Sequence, residues 1–151
     1  MIIKKDHLSN PKVIEFLNAH LRHMIEISPP GCVHALDVDA LKKPGVTFWT
    51  VWEGNLLICC GALKELNPEH AELKSMRTAP SHLGKGVASH LLEYMLEEAK
   101  IRKYSRISLE TGSYEAFKPA RNLYAKFGFT YCEPFSNYTN NPKSVYMATY
   151  L

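Results

Sequence analysis

The spacing of apolar residues changes period along the chain, and each change marks an element. Ile2 and Ile3 predict a short opening strand. Asn10-Pro11 reads as a helix start, because proline at the first helical position forfeits only a donor that would have no partner. Val13, Ile14, Leu17, Leu21 and Met24 then recur at helical spacing until Ser28-Pro29-Pro30-Gly31 ends the helix. Residues 28 to 45 read mostly as loop, with one or two helical turns from Asp37 to Lys43 stopped by Pro44-Gly45. From Val46 to Trp52 the period is two, with β-branched and aromatic residues throughout, and Glu53-Gly54-Asn55 turns the chain back into Leu56 to Leu66. A second turn at Asn67-Pro68-Glu69 leads into Ala71 to Thr78, giving three successive antiparallel strands.

Helical spacing returns from Gly86 to Lys103, where Val87, Leu91, Leu92, Met95, Leu96 and Ala99 share one side. Arg106 to Glu110 predicts a strand, and residues 115 to 127 predict a second helix with Ala120, Leu123, Tyr124 and Phe127 in register, closed by Gly128. Phe129 to Cys132 and Ser144 to Leu151 are the last strands. This order predicts an α+β fold: a mixed, mostly antiparallel twisted sheet of about six or seven strands flanked by helices. A length of 151 residues and 46% hydrophobic content suit one domain spanning residues 1–151 with a substantial core.

Charge narrows the partners. The 18 basic and 15 acidic residues are interspersed, with a net charge of +3, and form no basic stripe of the kind that grips nucleic acid. No apolar run is long enough to cross a bilayer and no signal core opens the chain, so a cytoplasmic protein is expected. Cys32, Cys59, Cys60 and Cys132 lack zinc-site spacing and read as reduced thiols; no metal is expected.

The candidate chemistry begins at Gly84-Lys85-Gly86-Val87-Ala88-Ser89, where small residues at a turn feed a helix. Free N–H groups and the positive end of the helix dipole can hold a diphosphate there. It is not a P-loop, because Val87 stands where a magnesium-holding hydroxyl would be needed, and three antiparallel strands precede it where a dinucleotide fold would have a parallel unit. Ordinary turn chemistry and phosphate binding both remain open from this loop alone.

Its surroundings resemble a known family. Ala71 to Pro80 followed by Leu83-Gly84-Lys85-Gly86-Val87-Ala88, then Ser108-Leu109-Glu110-Thr111-Gly112, then Pro119 to Phe129, together resemble the GNAT superfamily of acetyl-CoA-dependent N-acetyltransferases. The resemblance runs from about Val46 to the C-terminus. Two departures stand out: Leu83 replaces the usual Arg or Gln at the opening of the phosphate motif, and Phe117 replaces an Asn that in many members bonds the pantetheine arm.

The resemblance implies acetyl transfer from acetyl-CoA to a primary amine, with both substrates bound together and no covalent enzyme intermediate. A noncatalytic acyl-CoA-binding or regulatory module on the same fold is the alternative. It implies that the strand ending at Thr78 splays from the strand starting at Arg106, exposing main-chain groups of Met76, Arg77 and Thr78 to pantetheine, with an N–H near Met76 as oxyanion donor. Glu72 matches a family base, with Glu110 as a second candidate and a solvated ion pair to Lys74 as the structural reading. Tyr124 matches the acid that protonates the departing thiolate, although its place in an apolar stripe equally suits a core tyrosine. His34, Trp49, Trp52, Arg22 and His23 are candidates for the acceptor wall. Lys85, Lys118 and Arg121 either meet adenosine phosphates or form a solvated basic surface. The acceptor is a small-molecule or peptide amine, and Val145 to Leu151 either pairs across a homodimer or completes the chain's own sheet.

Overall fold

The computed structural model describes residues 1–28 and 37–151. Its strands are Ile2–Lys5 (β1), Val46–Glu53 (β2), Leu56–Asn67 (β3), His70–Thr78 (β4), Arg106–Gly112 (β5), Thr130–Cys132 (β6) and Ser144–Tyr150 (β7). The helices are Pro11–Ile27 (α1), Val38–Leu41 (α2), Val87–Ile101 (α3) and Lys118–Lys126 (α4). Turn and cap chemistry sets these bounds: Asn10 Oδ1 accepts from Lys12 N–H at 2.9 Å beside Pro11, and Asp37 Oδ1 accepts from Ala40 N–H at 2.8 Å. The helix expected over 115–127 divides into a single 3-10 turn, Glu115–Phe117, and α4. Pro119 lacks the N–H that a continuous α-helix would donate to Glu115.

The strands form one sheet in the order β1-β2-β3-β4-β5-β7-β6, antiparallel except between β4 and β5. This matches the expected mixed α+β architecture. β7 lies inside the sheet, paired to β5 from Ser144 to Tyr150 and to β6 from Tyr146 to Ala148, so the final strand completes the chain's own sheet.

Alternation along the strands divides the apolar residues between two faces. Trp49, Val51, Ile58, Cys59, Leu63, Ala71, Leu73, Ile107, Leu109 and Met147 pack with α3 and with Tyr124 and Phe129. Phe48, Trp52, Leu57, Cys60 and Ala62 pack on the other face with Val13 and Leu17 of α1 and Leu41 of α2. At about 25 cal/mol per Å² of apolar surface removed from water, burial on both faces is the main force holding the sheet.

β4 is irregular at the centre. Cys60 pairs with Arg77 and Ala62 with Lys74, so Gly61 faces two residues, Ser75 and Met76, across a bulge. Ser75 has φ 58°, which a residue with a Cβ adopts at a cost. Gly61 leaves room on the partner strand, because a Cβ there would overlap the Met76 sulfur and lie 3.0 Å from that of Met95, so both side chains would have to shift.

Candidate active site

Two features meet at the middle of the sheet. The first is a gap. β4 and β5 pair only through His70↔Arg106, Ala71↔Ile107 and Glu72↔Ser108, after which Leu73–Thr78 pairs with β3 and Leu109–Gly112 with β7. The expected splay is therefore present and begins just past Glu72. Within it the ladder decides which main-chain groups are open. Ala79 N–H donates to the Ile58 carbonyl at 2.8 Å, and alternate residues of a strand bond to the same side. Arg77 therefore turns its main chain toward Cys60 of β3, while Met76 and Thr78 turn theirs into the gap. Of the three residues expected to meet pantetheine, Met76 and Thr78 are thus the two whose main chain faces the gap on this phase of the ladder.

The second feature is the start of α3. Gly84 and Gly86 have φ 74° and 79°, conformations glycine adopts without strain, and a Cβ at either would project into open space. Gly86 is the N-cap and accepts from His90 N–H at 3.0 Å, so the N–H groups of Val87, Ala88 and Ser89 precede the first intrahelical donor. No side chain caps them. Lys85 is exposed beside them, and Lys126 Nζ reaches Ser89 Oγ at 3.5 Å. The donor set fits a diphosphate: unpaired N–H groups at a 15-residue helix, a helix dipole and flanking ammonium groups. Leu83 is exposed and adds no polar contact. Phe117 lies over Gly112, where a Cβ would overlap its ring, and Arg121 Nη1 donates to the carbonyls of Gly112 and Tyr114 at 2.8 Å each. Those bonds hold Arg121 at the end of β5.

The candidate acid and base lie on opposite faces of the gap. Tyr124 projects from α4 into the α3 face, buried against Phe129 with ring centroids 5.8 Å apart. Burial pushes its phenol well above the ordinary value, with smaller contributions from Cys59 on β3 and Glu110 on β5. Cys59, beside the Thr78 hydroxyl at 3.7 Å, is pushed up to about 11 by burial. Its neighbour Cys60 is also raised, again mainly by burial.

Glu72 and Lys74 belong to the α1 face. They are not solvated: Glu72 is 2% exposed and Lys74 9%. Lys74 Nζ donates to Glu72 Oε2 at 3.1 Å and to the Tyr138 hydroxyl at 2.9 Å, and that hydroxyl donates to the same carboxylate oxygen at 2.6 Å. The segment between β6 and β7 brings in Tyr138, which packs on Phe135 and Tyr146. Glu110, the second base candidate, accepts from Ser144 Oγ at 2.8 Å.

The acceptor-wall candidates separate. Trp49 lies on the α3 face, T-shaped to Tyr94 and under the Arg102 guanidinium, and Trp52 is a core residue bonded to Thr50 Oγ1 at 2.9 Å. Neither lines a shared wall, because an odd and an even position of one strand point to opposite faces. Arg22 pairs with Glu15 at 2.8 Å on the exposed side of α1, and His34 lies outside the described residues. The buried histidine of α1 is His20 rather than His23. Its spacing of three from Leu17 and seven from Val13 was the available signal. Burial, then Arg77, then His23 lower its pKa to about 4.

Known proteins resemble this chain in sequence and fold. Residues 13–129 match the acetyltransferase (GNAT) family. An uncharacterized N-acetyltransferase, YsnE, of Bacillus subtilis is 53% identical over 97% of both chains. Another, YedL, of Escherichia coli is 48% identical over 97% of this chain and 92% of its own. A GNAT family acetyltransferase from Elizabethkingia anophelis, solved with acetyl-CoA bound, superposes with a TM-score of 0.73 at 17% identity, covering 99% of this chain and 97% of that one. Family match, relatives and fold agree: this chain belongs to the GNAT family of acetyltransferases.

Proposed function

We propose that the chain moves the acetyl group of acetyl-CoA to a primary amine by direct attack in a ternary complex. The carrying observation is the gap between β4 and β5, which joins a face bearing Glu72 to a face bearing Tyr124 next to the uncapped start of α3. The thioester supplies an activated acyl carbon, and the protein supplies position and protons.

Each residue has a part in this reading. Gly84, Lys85 and Gly86 shape the cradle, and the N–H groups of Val87, Ala88 and Ser89 take the diphosphate. Met76 and Thr78 pair with the pantetheine amides as a strand would, and the Met76 N–H faces the acyl oxygen. The amine approaches from the α1 face. An alkyl ammonium has a pKa of about 10.4, so it must shed a proton, and the Lys74 ammonium nearby disfavours a second positive charge there. Glu72 receives that proton, at the oxygen that Lys74 and Tyr138 do not hold. Tyr124 works from the α3 face. Its raised pKa keeps the phenol protonated at neutral pH, and a thiolate released into the same dry surroundings is a stronger base than in water, as the raised Cys59 thiol illustrates.

The test is release of free CoA thiol from acetyl-CoA across a panel of primary amines. Turnover that depends on an amine supports the transferase. Saturable acetyl-CoA binding with no turnover on any amine would instead identify a noncatalytic acyl-CoA-binding module.

A further inference from the structure

The acceptor side of the gap carries a cation with no acid to pair with. Arg77 points to the α1 face, its guanidinium 5.1 Å from the centroid of the Phe16 ring. Its Nε is buried without a hydrogen-bond partner, and no carboxylate among the described residues pairs with it. The segment 29–36 contains no Asp or Glu that could do so. The nearest charged groups are the wrong sign or already matched: Arg22 is bound to Glu15, Lys74 to Glu72, and His20 is held neutral partly by Arg77 itself. Ser75, at the bulge two residues away, also has a buried hydroxyl with no partner. Two orphaned donors two residues apart on a distorted strand ask for an acceptor that the fold does not provide, since buried polar groups are normally satisfied.

We infer that the amine acceptor carries a carboxylate and that Arg77 is the residue that recognises it. This rests on the transferase reading above and names its substrate class: a small amino-carboxylate, with the acid on Arg77 and the amine toward Glu72 and Met76. The spacing suits such a molecule. The strand partners of Arg77 and Lys74, Cys60 and Ala62, are two residues apart, which puts the backbones of the two cationic residues about 7 Å apart along β4, on its edge of the gap. The planar guanidinium, over the Phe16 ring at 5.1 Å, has paired N–H donors of the kind that match a carboxylate edge on.

The test compares matched acceptors that differ only in the acid: α-, β- and γ-amino acids against their carboxamides. The carboxylate member is expected to have a kcat/KM at least about tenfold higher, the range for a charge-assisted hydrogen bond. The difference should lie in KM. Arg77→Met should bring the ratio close to one, whereas Arg77→Lys should keep part of it. A tripeptide beginning with Asp separates a peptide terminus from a free amino acid, and turnover of that tripeptide in preference to every free amino acid would overturn the small-molecule assignment.

A second readout does not need turnover. Calorimetric titration of the CoA-loaded protein with an N-acetyl amino acid and with its amide should show tighter binding of the acid, lost in Arg77→Met. Equal binding of the two overturns the inference, and so does an unchanged preference in a folded Arg77→Met. If no amine is acetylated but the acid-selective binding is present, the transferase reading fails while the carboxylate site stands.

Discussion

The Tyr138 hydroxyl sits 2.6 Å from Glu72 Oε2, although 66 residues separate them, and Lys74 bonds to both. The carboxylate next to the gap is therefore held from two directions, by its own strand and by the segment between β6 and β7. Removing one member leaves a buried charge without compensation. Lys74→Met should destabilise the protein by about 3–5 kcal/mol in chemical denaturation. The double variant Lys74→Met/Glu72→Gln should recover much of that loss, and equal loss in both would show that the pair is not electrostatically coupled.

Glu72→Gln alone keeps the shape and removes the proton acceptor. It should lower kcat by roughly a hundredfold or more, with acetyl-CoA affinity retained. Steady-state kinetics alongside calorimetry separates the two effects.

Tyr124 has no hydrogen-bond partner for its hydroxyl among the described residues, so Tyr124→Phe should leave the melting temperature nearly unchanged. Its kcat should fall by about 10²–10⁴-fold, the usual scale for loss of a general acid. A large drop in melting temperature with undiminished turnover would make Tyr124 a packing residue.

Gly61 on β3 sits tightly under the methionine side chains of the core. Gly61→Ala pushes a methyl group onto the Met76 sulfur, opposite the bulge at Ser75 and Met76. Overpacking of this kind costs about 1–3 kcal/mol. The expected readout is a melting temperature lower by about 3–10 °C, together with weaker acetyl-CoA binding.

His20 makes stability depend on pH. Its pKa is about 4 in the fold against 6.5 for the ordinary imidazole, mainly through burial and then through Arg77 and His23. Below pH 6.5 the unfolded chain takes up a proton that the folded chain refuses, so its contribution is present above pH 6.5 and is lost as pH falls toward 4. The loss attributable to His20 should reach about 2 kcal/mol by pH 5. Urea midpoints at pH 7, 6 and 5 should converge between wild type and His20→Gln as the pH falls.

The order of elements was legible because each is set by local chemistry: Pro11 at a helix start, Gly54 in a hairpin, Gly128 after a helix. The turn at the start of α3 was legible for the same reason, whereas Glu72 and Tyr124 were named through the resemblance alone. What escaped depends on distant partners. Tyr138 reaches Glu72 from a loop with no period of its own, and nothing about Ser75 announces a positive φ. Two misses had a signal. Trp49 and Trp52 differ in parity, so they had to part company across the sheet, and the apolar stripe of α1 points to His20 where His23 was expected to face the acceptor.

The account turns on whether the start of α3 and the β4–β5 gap together hold the co-substrate. Isothermal titration of the purified chain with acetyl-CoA measures this directly. Saturable binding at one site with a micromolar dissociation constant, weakened at least about tenfold in Gly86→Val, whose φ of 79° a branched side chain resists, is the predicted result. No association at millimolar acetyl-CoA with the folded protein would contradict it.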